Sequence, residues 1–336
     1  MKVLVTGTAG FIGAALAQQL LARGNEVIGI DNLNDYYDVQ LKQARLNRLR
    51  THAGFTDLRI ALEDKQAVDQ AFLTYKPQRV VNLAAQAGVR YSLQNPAAYV
   101  QSNLVGHLNI LELARSRRVA HMVYASSSSV YGLSSQVPFT EDLRADRPVS
   151  LYAATKRADE LMSESYAHLY KIPLTGLRFF TVYGPWGRPD MMPWIFTRKI
   201  LAGEPIPVFN NGKLRRDFTF IDDIVAGIAA CIGKPPNDDG LTKPGGSGAP
   251  HSVYNIGNSK AENLLDVIAV LESACGCRAN IDMLPMQPGD VQETFADISA
   301  MQRDFGFQPT TSVETGMRSF VSWFRGYPPA MNILWQ

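Results

Sequence analysis

Tyr152 and Lys156 are the two residues best placed by type and spacing for acid–base chemistry. Ser150 just before them is a suitable N-cap and the alanines between them favour a helix, on which residues four apart share a face. A phenol with its ordinary pKa of ~10 is a poor base at neutral pH, but a cation beside it favours the phenolate. The pair suits removal of a hydroxyl proton while hydride leaves the same carbon, although this spacing also arises by chance on many helices.

A glycine-rich turn near the start of the chain predicts a dinucleotide site. The apolar run 2–6 is typical of a buried parallel strand, and it is followed by three glycines in 7–13, a helical pattern, and a strand at 27–30 that ends at Asp31. Glycines in such a turn let the backbone approach a pyrophosphate at the positive end of the helix. Asp31 suits an adenosine ribose and would repel a 2′-phosphate, which favours NAD over NADP.

Alternating strand and helix patterns continue through the first half of the chain. The predicted strands are 59–62, 79–84, 122–125 and 174–179, and the predicted helices are 66–75 and 96–117. This pattern indicates an α/β fold with a doubly wound parallel Rossmann-type sheet of six or seven strands.

The sequence pattern changes after about residue 185, where proline and glycine become frequent and the predicted strands and helices become short. We expect 1–185 to form a nucleotide-binding Rossmann domain, with segments near 217–232 and 253–258 returning to it. Residues 186–336 are expected to form mainly a smaller C-terminal α/β substrate lobe. The stretch 237–250, rich in glycine and proline, is expected to be an exposed insertion.

Composition excludes several classes of protein. The formal net charge is +2, which gives no reason to expect nucleic acid or an anionic membrane as a partner. The three cysteines are odd in number and lack zinc-site spacing, which argues against a disulfide framework and against a structural metal. We find no apolar run of ~18 residues and no room for a signal peptide before the first strand. We therefore expect a soluble, cytoplasmic protein.

The motifs together resemble the extended short-chain dehydrogenase/reductase family, and the match spans essentially the whole chain. They are the glycines of 7–13, Ser127, and Tyr152 with Lys156. Within that family, further stretches are similar to those of the epimerases that act on UDP-glucuronate, namely 87–92, 126–129, 149–156, 178–191, 215–223 and 288–291.

The resemblance implies a catalytic set of Ser127, Tyr152 and Lys156 with tightly held NAD. Tyr152 would deprotonate the sugar 4-hydroxyl as C4 gives up hydride, Ser127 would hydrogen-bond that oxygen, and Lys156 would bind the nicotinamide ribose. The 4-keto intermediate would turn and take hydride back on its other face, converting UDP-glucuronate to UDP-galacturonate. A homodimer is also implied, through a four-helix bundle built from the helices 96–117 and 152–170.

The same resemblance implies two sets of binding residues. Those for NAD are Gly7, Gly10, Phe11, Ile12, Gly13, Asp31, Asn32, Leu62, Ala84, Ala85, Gln86, Asn103, Tyr152, Lys156 and Tyr183. Those for the UDP-sugar are Arg90, Ser127, Ser128, Ser129, Tyr152, Thr181, Arg188, Val208, Arg216 and Asp290. No metal is expected.

The serine run distinguishes this chain from relatives with other chemistry. Where related dehydratases carry Asp-Glu it has Ser128 and Ser129, and where UDP-glucuronate decarboxylases carry Glu it has Ser129. A 4-keto uronate is a β-keto acid that loses CO2 unless its carboxylate is held in plane. We hypothesise that hydroxyls of Ser128, Ser129 and Thr181 hold it. The alternative is a turn at a strand end whose hydroxyls are only solvated.

Arginines are the candidates for the diphosphate. Arg216 comes first because a guanidinium fork can bridge phosphate oxygens, with Arg188 and Asp290 as companions. Arg90 would face the sugar carboxylate or pair with a surface acid, whereas Arg215 is expected to be a solvated charge.

One departure from the family pattern concerns the adenine. The strand expected to end at Leu62 usually carries Asp just before that residue, and here the position is Ala61. One adenine contact is therefore expected to be missing, which would leave the Leu62 backbone and apolar packing to hold the base.

Three other functions remain open at this stage. They are a UDP-hexose 4-epimerase acting on neutral sugars, a UDP-glucuronate decarboxylase, and a catalytically silent NAD-binding regulator.

Overall fold

Strands and helices alternate along the computed structural model, which describes residues 1–134, 136–286 and 292–333. The strands are β1 Lys2–Thr6, β2 Glu26–Asp31, β3 Phe55–Arg59, β4 Arg79–Asn82, β5 His121–Ser127, β6 Leu174–Phe179, β7 Thr181–Tyr183, β8 Pro205–Val208, β9 Arg215–Phe220, β10 His251–Ile256, β11 Ala261–Asn263 and β12 Asn280–Met283. The α-helices are α1 Phe11–Ala22, α2 Val39–Arg50, α3 Lys65–Tyr75, α4 Tyr91–Gln94, α5 Pro96–Tyr99, α6 Gly106–Ser116, α7 Leu151–Tyr170, α8 Met192–Ala202, α9 Ile221–Ile232, α10 Leu264–Cys275, α11 Ser299–Phe305 and α12 Val313–Gly326.

Seven parallel strands form the central sheet in the order β10-β6-β5-β4-β1-β2-β3. Successive residues of β1 enter different cores: Val3 and Val5 pack on one face of the sheet and Leu4 on the other. Helices cover both faces, as parallel strands require. The doubly wound sheet predicted from the sequence is confirmed.

Two smaller sheets lie beyond the central one. One has the order β11-β9-β7 and the other pairs β12 with β8. The helix α9, which follows β9, packs against α1 and against β5 of the central sheet. The later strand β10 is an edge of the central sheet.

The prediction of a strand at 59–62 is wrong, because the third strand is Phe55–Arg59. Within the described part of the chain, this strand pairs only with β2 and is partly exposed, and an edge strand of this kind does not need the continuous apolar run of a buried strand. The apolar residues 60–62 instead leave the sheet, where Leu62 is buried and its carbonyl accepts from Asn109 Nδ2 at 2.8 Å. The strand predicted at 79–84 also ends earlier, at Asn82.

The helix predicted at 96–117 is interrupted by a wider turn. Between α5 and α6 the residues Val100–Val105 are π-helical. Such turns contain an extra residue and often occur at functional sites. By contrast, α7 begins where the sequence predicts, because Ser150 accepts a hydrogen bond from the Ala153 amide at 3.1 Å.

Arg45 of α2 joins the turn after β1 to the segment after β7. It is fully buried, and its Nη1 donates to the carbonyl of Ala9 at 3.0 Å. Its Nη2 donates to the carbonyls of Trp186 at 2.7 Å and Gly187 at 2.8 Å. Three backbone carbonyls from two parts of the chain are therefore satisfied by one guanidinium.

Within the described ranges, no helix combines the length and the apolar character needed to cross a bilayer.

Candidate active site

A cavity of about 680 Å³ lies at the carboxyl ends of the central strands. This is the edge of a doubly wound sheet where ligands bind. Its wall comes from both parts of the chain, and it includes the glycine turn, the ends of β4, β5 and β6, the start of α7, and residues 207–218.

The glycine turn has a backbone that side chains would not allow. Gly7 has φ +77°, and a Cβ at Gly13 would lie 2.1 Å from the Gly7 carbonyl oxygen. The helix α1 starts directly after Gly10 and presents its N-terminal end to the cavity. The turn therefore leaves room for an anionic group against its amides.

Asp31 is fixed beside this turn at the end of β2. One carboxylate oxygen accepts from the Ala9 amide at 3.0 Å and the other from the Leu33 amide at 2.8 Å. The residue lines the cavity, and each carboxylate oxygen can accept more than one hydrogen bond. Asn32 beside it also lines the cavity.

Ser127, Tyr152 and Lys156 all line this cavity, and the helix α7 packs against β5. Ser127 ends β5, whereas Tyr152 and Lys156 lie in the first two turns of α7. The ammonium of Lys156 is buried and donates to the Ala125 carbonyl at 3.0 Å and to the Asp159 carboxylate at 3.1 Å. The sequence motif thus becomes a single constellation of hydroxyl, phenol and ammonium.

Hydrogen bonds behind the wall hold α7 in place. The Asn103 side chain, in the π-helical segment, donates to the Thr155 hydroxyl at 2.9 Å and to the Gln86 carbonyl at 3.1 Å. The Gln86 amide donates back to Asn103 Oδ1 at 2.8 Å. Asn103 is itself buried behind the wall.

All four serines of 126–129 line the cavity, but they differ in their hydrogen-bond partners. Ser126 donates to the buried Glu160 carboxylate at 2.6 Å, inside an ion pair of Glu160 with Arg178. Ser127, Ser128 and Ser129 line the cavity, as does Thr181 at the start of β7. The Ser127 hydroxyl donates to that of Ser129 and accepts from the Ser129 amide, both at 3.2 Å.

Arg188 and Asp190 form a bidentate ion pair in the cavity wall. Asp190 also accepts from the Tyr36 hydroxyl at 3.2 Å. Burial, assisted by the charge of Asp190, raises the pKa of Tyr36 well above its usual range. Arg188 is therefore held in place by a carboxylate from its own loop.

Two further predicted arginines, Arg216 and Arg90, contribute to the cavity wall. Arg216 lines it, with Nη1 donating to the backbone carbonyls of Arg215 and Gln292. Arg90 also lines it, 5.6 Å from the centre of the Phe209 ring. Arg215 is half-exposed and forms an ion pair with Glu293 at 2.9 Å, so its charge is paired as well as solvated.

Most of the other residues predicted to bind NAD or the UDP-sugar lie in the cavity wall, and two lie in the core. Phe11, Ile12, Leu62, Ala84, Ala85 and Gln86 line the cavity. Val208 and Tyr183 are buried in the core outside the cavity lining, although the neighbours Pro207 and Phe209 belong to it. Asp290 lies outside the described residues.

Comparison with known proteins identifies the family. The family model described as GDP-mannose 4,6 dehydratase matches residues 4–320. The chain belongs to the extended short-chain dehydrogenase/reductase family.

Several members of this family resemble the chain over nearly its full length. A probable UDP-glucuronate 4-epimerase of Rhizobium meliloti is 46% identical over 330 residues, covering 96% of this chain and 97% of that protein. The UDP-glucuronic acid 4-epimerase of Bacillus cereus, solved with UDP-glucuronic acid and NAD, superposes with a TM-score of 0.88 at 32% identity, covering 97% of this chain and 99% of that one. The UDP-glucose 4-epimerase of Thermotoga maritima, solved with UDP-glucose, gives 0.86 at 29% identity over the same shares.

The cavity of this family member contains a cation that no sequence motif marks. Lys42 of α2 is buried and donates to the Asn34 carbonyl at 2.5 Å and to its side-chain oxygen at 2.6 Å. Burial lowers the pKa of Lys42 to about 8, although the charge of Asp31 opposes this. Its position follows from the loop between β2 and α2; the one sequence signal is a lysine 11 residues after the acid that ends β2.

The wall also contains a buried polar group that fits a bound nucleotide. The side-chain nitrogen of Gln86 is buried without a hydrogen-bond partner among the described residues, and Gln86 lines the cavity. A buried donor without a partner costs ~1–3 kcal/mol. Together with the space above the glycine turn, it fits a dinucleotide that carries acceptors on its ribose and amide groups.

Proposed function

We propose that this chain is an NAD-dependent UDP-glucuronate 4-epimerase, an isomerase that forms UDP-galacturonate through a 4-keto intermediate. The observation that carries the proposal is that Ser127, Tyr152 and Lys156 line the same cavity as the glycine turn. Relatives and solved structures named for this activity, over nearly the full chain, support the substrate and the cofactor.

The proposed roles follow from the position of each group. When bound, NAD supplies the acceptor and later the donor of the C4 hydride. Tyr152 takes the proton of the 4-hydroxyl and returns it after the intermediate has turned. Ser127 donates a hydrogen bond to the same oxygen, and Lys156 holds the nicotinamide ribose.

The sugar carboxylate is assigned to the hydroxyls around the end of β5. Ser128, Ser129 and Thr181 line the cavity there, next to Ser127. Held in the plane of the neighbouring carbonyl, the C5–carboxylate bond cannot align with the carbonyl π system, so CO2 is retained. This orientation of the carboxylate favours an epimerase over a decarboxylase.

We assign charged or polar residues to the adenosine ribose of NAD and to the diphosphate, the carboxylate and the uridine ribose of the substrate. Asp31, Asn32 and Lys42 would hold the adenosine ribose of NAD, with Asp31 disfavouring a 2′-phosphate. Arg216 and Arg90 would approach the substrate diphosphate and the uronate, and Asp290 the uridine ribose.

A second candidate is a 4-epimerase of neutral UDP-hexoses, which the likeness to the Thermotoga maritima enzyme favours. The purified protein should be incubated separately with UDP-glucuronate and UDP-glucose, and the products resolved by proton NMR. UDP-galacturonate from the first and nothing from the second supports the main proposal. Conversion of UDP-glucose alone would replace it with the second candidate, and release of a UDP-pentose would indicate a decarboxylase.

We further propose a cytoplasmic homodimer. Large apolar side chains remain exposed on the two helical segments expected to form the bundle, including Val100, Leu108, Leu161 and Leu169. A second copy related by twofold symmetry would cover them.

We assign 1–185, with the returning segments near 217–232 and 253–258, to NAD binding, and 186–336 mainly to binding of the nucleotide sugar.

A further inference from the structure

A buried carboxylate contacts the ammonium of the proposed catalytic lysine. Asp159 follows Lys156 by three residues on α7, and its side chain is only 1% exposed. Its Oδ2 is 3.1 Å from the Lys156 ammonium, and its Oδ1 has no hydrogen-bond partner among the described residues. A carboxylate buried this deeply is costly to ionise, so its presence here requires a compensating interaction.

The two acceptors of Lys156 fix where its remaining proton points. An ammonium has three N–H donors, and two of them are directed to Ala125 and Asp159. Lys156 nevertheless lines the cavity, so its third donor is left for a ligand there. A lysine side chain is flexible and is oriented only if such partners hold it.

The charge of Asp159 also acts on the chemistry of the site. Burial raises the pKa of Asp159 to about 6, although Lys156 opposes the shift. The other groups around it are Glu160, which is paired with Arg178 and Arg157, His107, which burial keeps neutral, and Tyr124. When Asp159 is ionised, it cancels part of the positive potential that Lys156 exerts on Tyr152; when it is protonated, that potential is fully expressed.

We propose that Asp159 is a positioning residue that orients the Lys156 ammonium toward the cavity, where its own negative charge offsets part of the positive potential of that ammonium. This inference rests on the proposed function, in which that pair carries the proton. It differs from a structural ion pair because both its geometry and its charge reach the reacting groups.

Two substitutions separate the geometric role from the electrostatic one. Asp159→Asn keeps an oxygen acceptor for Lys156 and removes the charge, so the acid limb of the kcat profile should move down by about 0.5–1 pH unit with KM unchanged. Asp159→Ala removes both, so kcat should also fall about tenfold. Glu164→Gln, a carboxylate-to-amide change on the same helix whose partners are His251 and Ser247, should leave the profile in place.

A binding measurement tests the inference without catalysis. In calorimetry with the cofactor-stripped protein, Asp159→Ala should bind NAD at least about fivefold more weakly, and Asp159→Asn within about twofold of the unmodified protein. If the Ala variant fails to fold by circular dichroism, the Asn profile decides alone.

Superimposable acid limbs for Asp159→Asn and the unmodified protein would overturn the inference, as would unchanged NAD affinity and kcat in a folded Asp159→Ala. Absence of UDP-glucuronate turnover in the unmodified protein would defeat the proposed function instead. The calorimetric comparison would still decide whether Asp159 orients Lys156.

Discussion

The side-chain amide of Asn103 donates to the hydroxyl of Thr155 at 2.9 Å. Thr155 lies between Tyr152 and Lys156 in the chain and faces the π-helical segment. Asn103 lies in this π-helical segment, and its side chain contacts both Thr155 and the loop after β4. The helix that carries the proposed proton-transfer pair is thereby anchored to the cavity wall.

Tyr152→Phe should reduce turnover of UDP-glucuronate by about 10²- to 10⁴-fold, because the proton of the 4-hydroxyl loses its acceptor. Product formation is measured by proton NMR, and folding by circular dichroism. Tyr170→Phe, an exposed tyrosine at the end of the same helix, is the matched control. Equal activity of Tyr152→Phe and the unmodified protein would point to the silent NAD-binding regulator.

Lys42→Met should weaken NAD binding by about tenfold, because an ammonium beside the adenosine ribose is replaced by an apolar group of similar length. The measurement is calorimetry on the cofactor-stripped protein. Gln40→Met, an exposed position on the same helix, should bind normally. Identical dissociation constants for the two variants would remove Lys42 from the cofactor site.

Ser129→Glu should divert part of the product from UDP-galacturonate to a UDP-pentose. A carboxylate at this position repels the carboxylate of the 4-keto intermediate and turns it out of plane, where CO2 is lost. NMR of the reaction mixture gives the ratio of the two products. Ser319→Glu adds the same charge at an exposed site on α12, away from the proposed bundle, and should leave the product pure; a pure product from both variants would reject the holding role of the hydroxyls.

Acid should destabilise the protein partly through His121. Burial lowers the pKa of His121 to about 4, and its ring nitrogens contact the Ile232 carbonyl and the Thr175 hydroxyl. Since the unfolded chain takes up this proton near pH 6.5 and the folded chain does not, the stabilisation is full above 6.5 and is lost as the pH falls toward 4.

His121→Gln removes this titration and provides the measurement. Between pH 7 and pH 5 the free energy of unfolding of the unmodified protein should fall by about 2 kcal/mol more than that of the variant. Urea unfolding at each pH measures the difference. Parallel pH dependences would show that His121 is protonated equally in both states.

Leu161→Glu should dissociate the proposed homodimer. Leu161 is 53% exposed on α7, and a charge there would be buried against the second copy. Light scattering after gel filtration gives the mass. Leu73→Glu, at a 42% exposed leucine on α3 away from the proposed bundle, should leave the mass unchanged. A monomeric unmodified protein would also contradict the proposal.

Local signals explain which elements can be predicted from the sequence. The strand β1, the turn after Gly7 and the N-cap Ser150 depend on residues within a few positions of one another, and the structure confirms them. The third strand was misplaced, because Phe55–Arg59 is a half-exposed edge strand while the more apolar 60–62 packs outside the sheet.

The missed site residues depend on tertiary structure. Lys42 enters the cavity only because the preceding loop takes a left-handed turn at Leu33, with φ +51°. Lys156 and Asp159 resemble an ordinary pair of charges three apart on a helix, and only the burial of Asp159 beside a Lys156 ammonium that also donates to Ala125 distinguishes them. Neither arrangement has a spacing that a motif can express.

The guanidinium of Arg45 limits how ligands can enter. Because it satisfies carbonyls at Ala9 and at Trp186 and Gly187 while fully buried, separating those backbone segments would strand a charge and three acceptors. We therefore expect the start of the second lobe to stay attached to the glycine turn during turnover. Any opening of the cavity that admits the nucleotide sugar is then expected from segments farther along the chain.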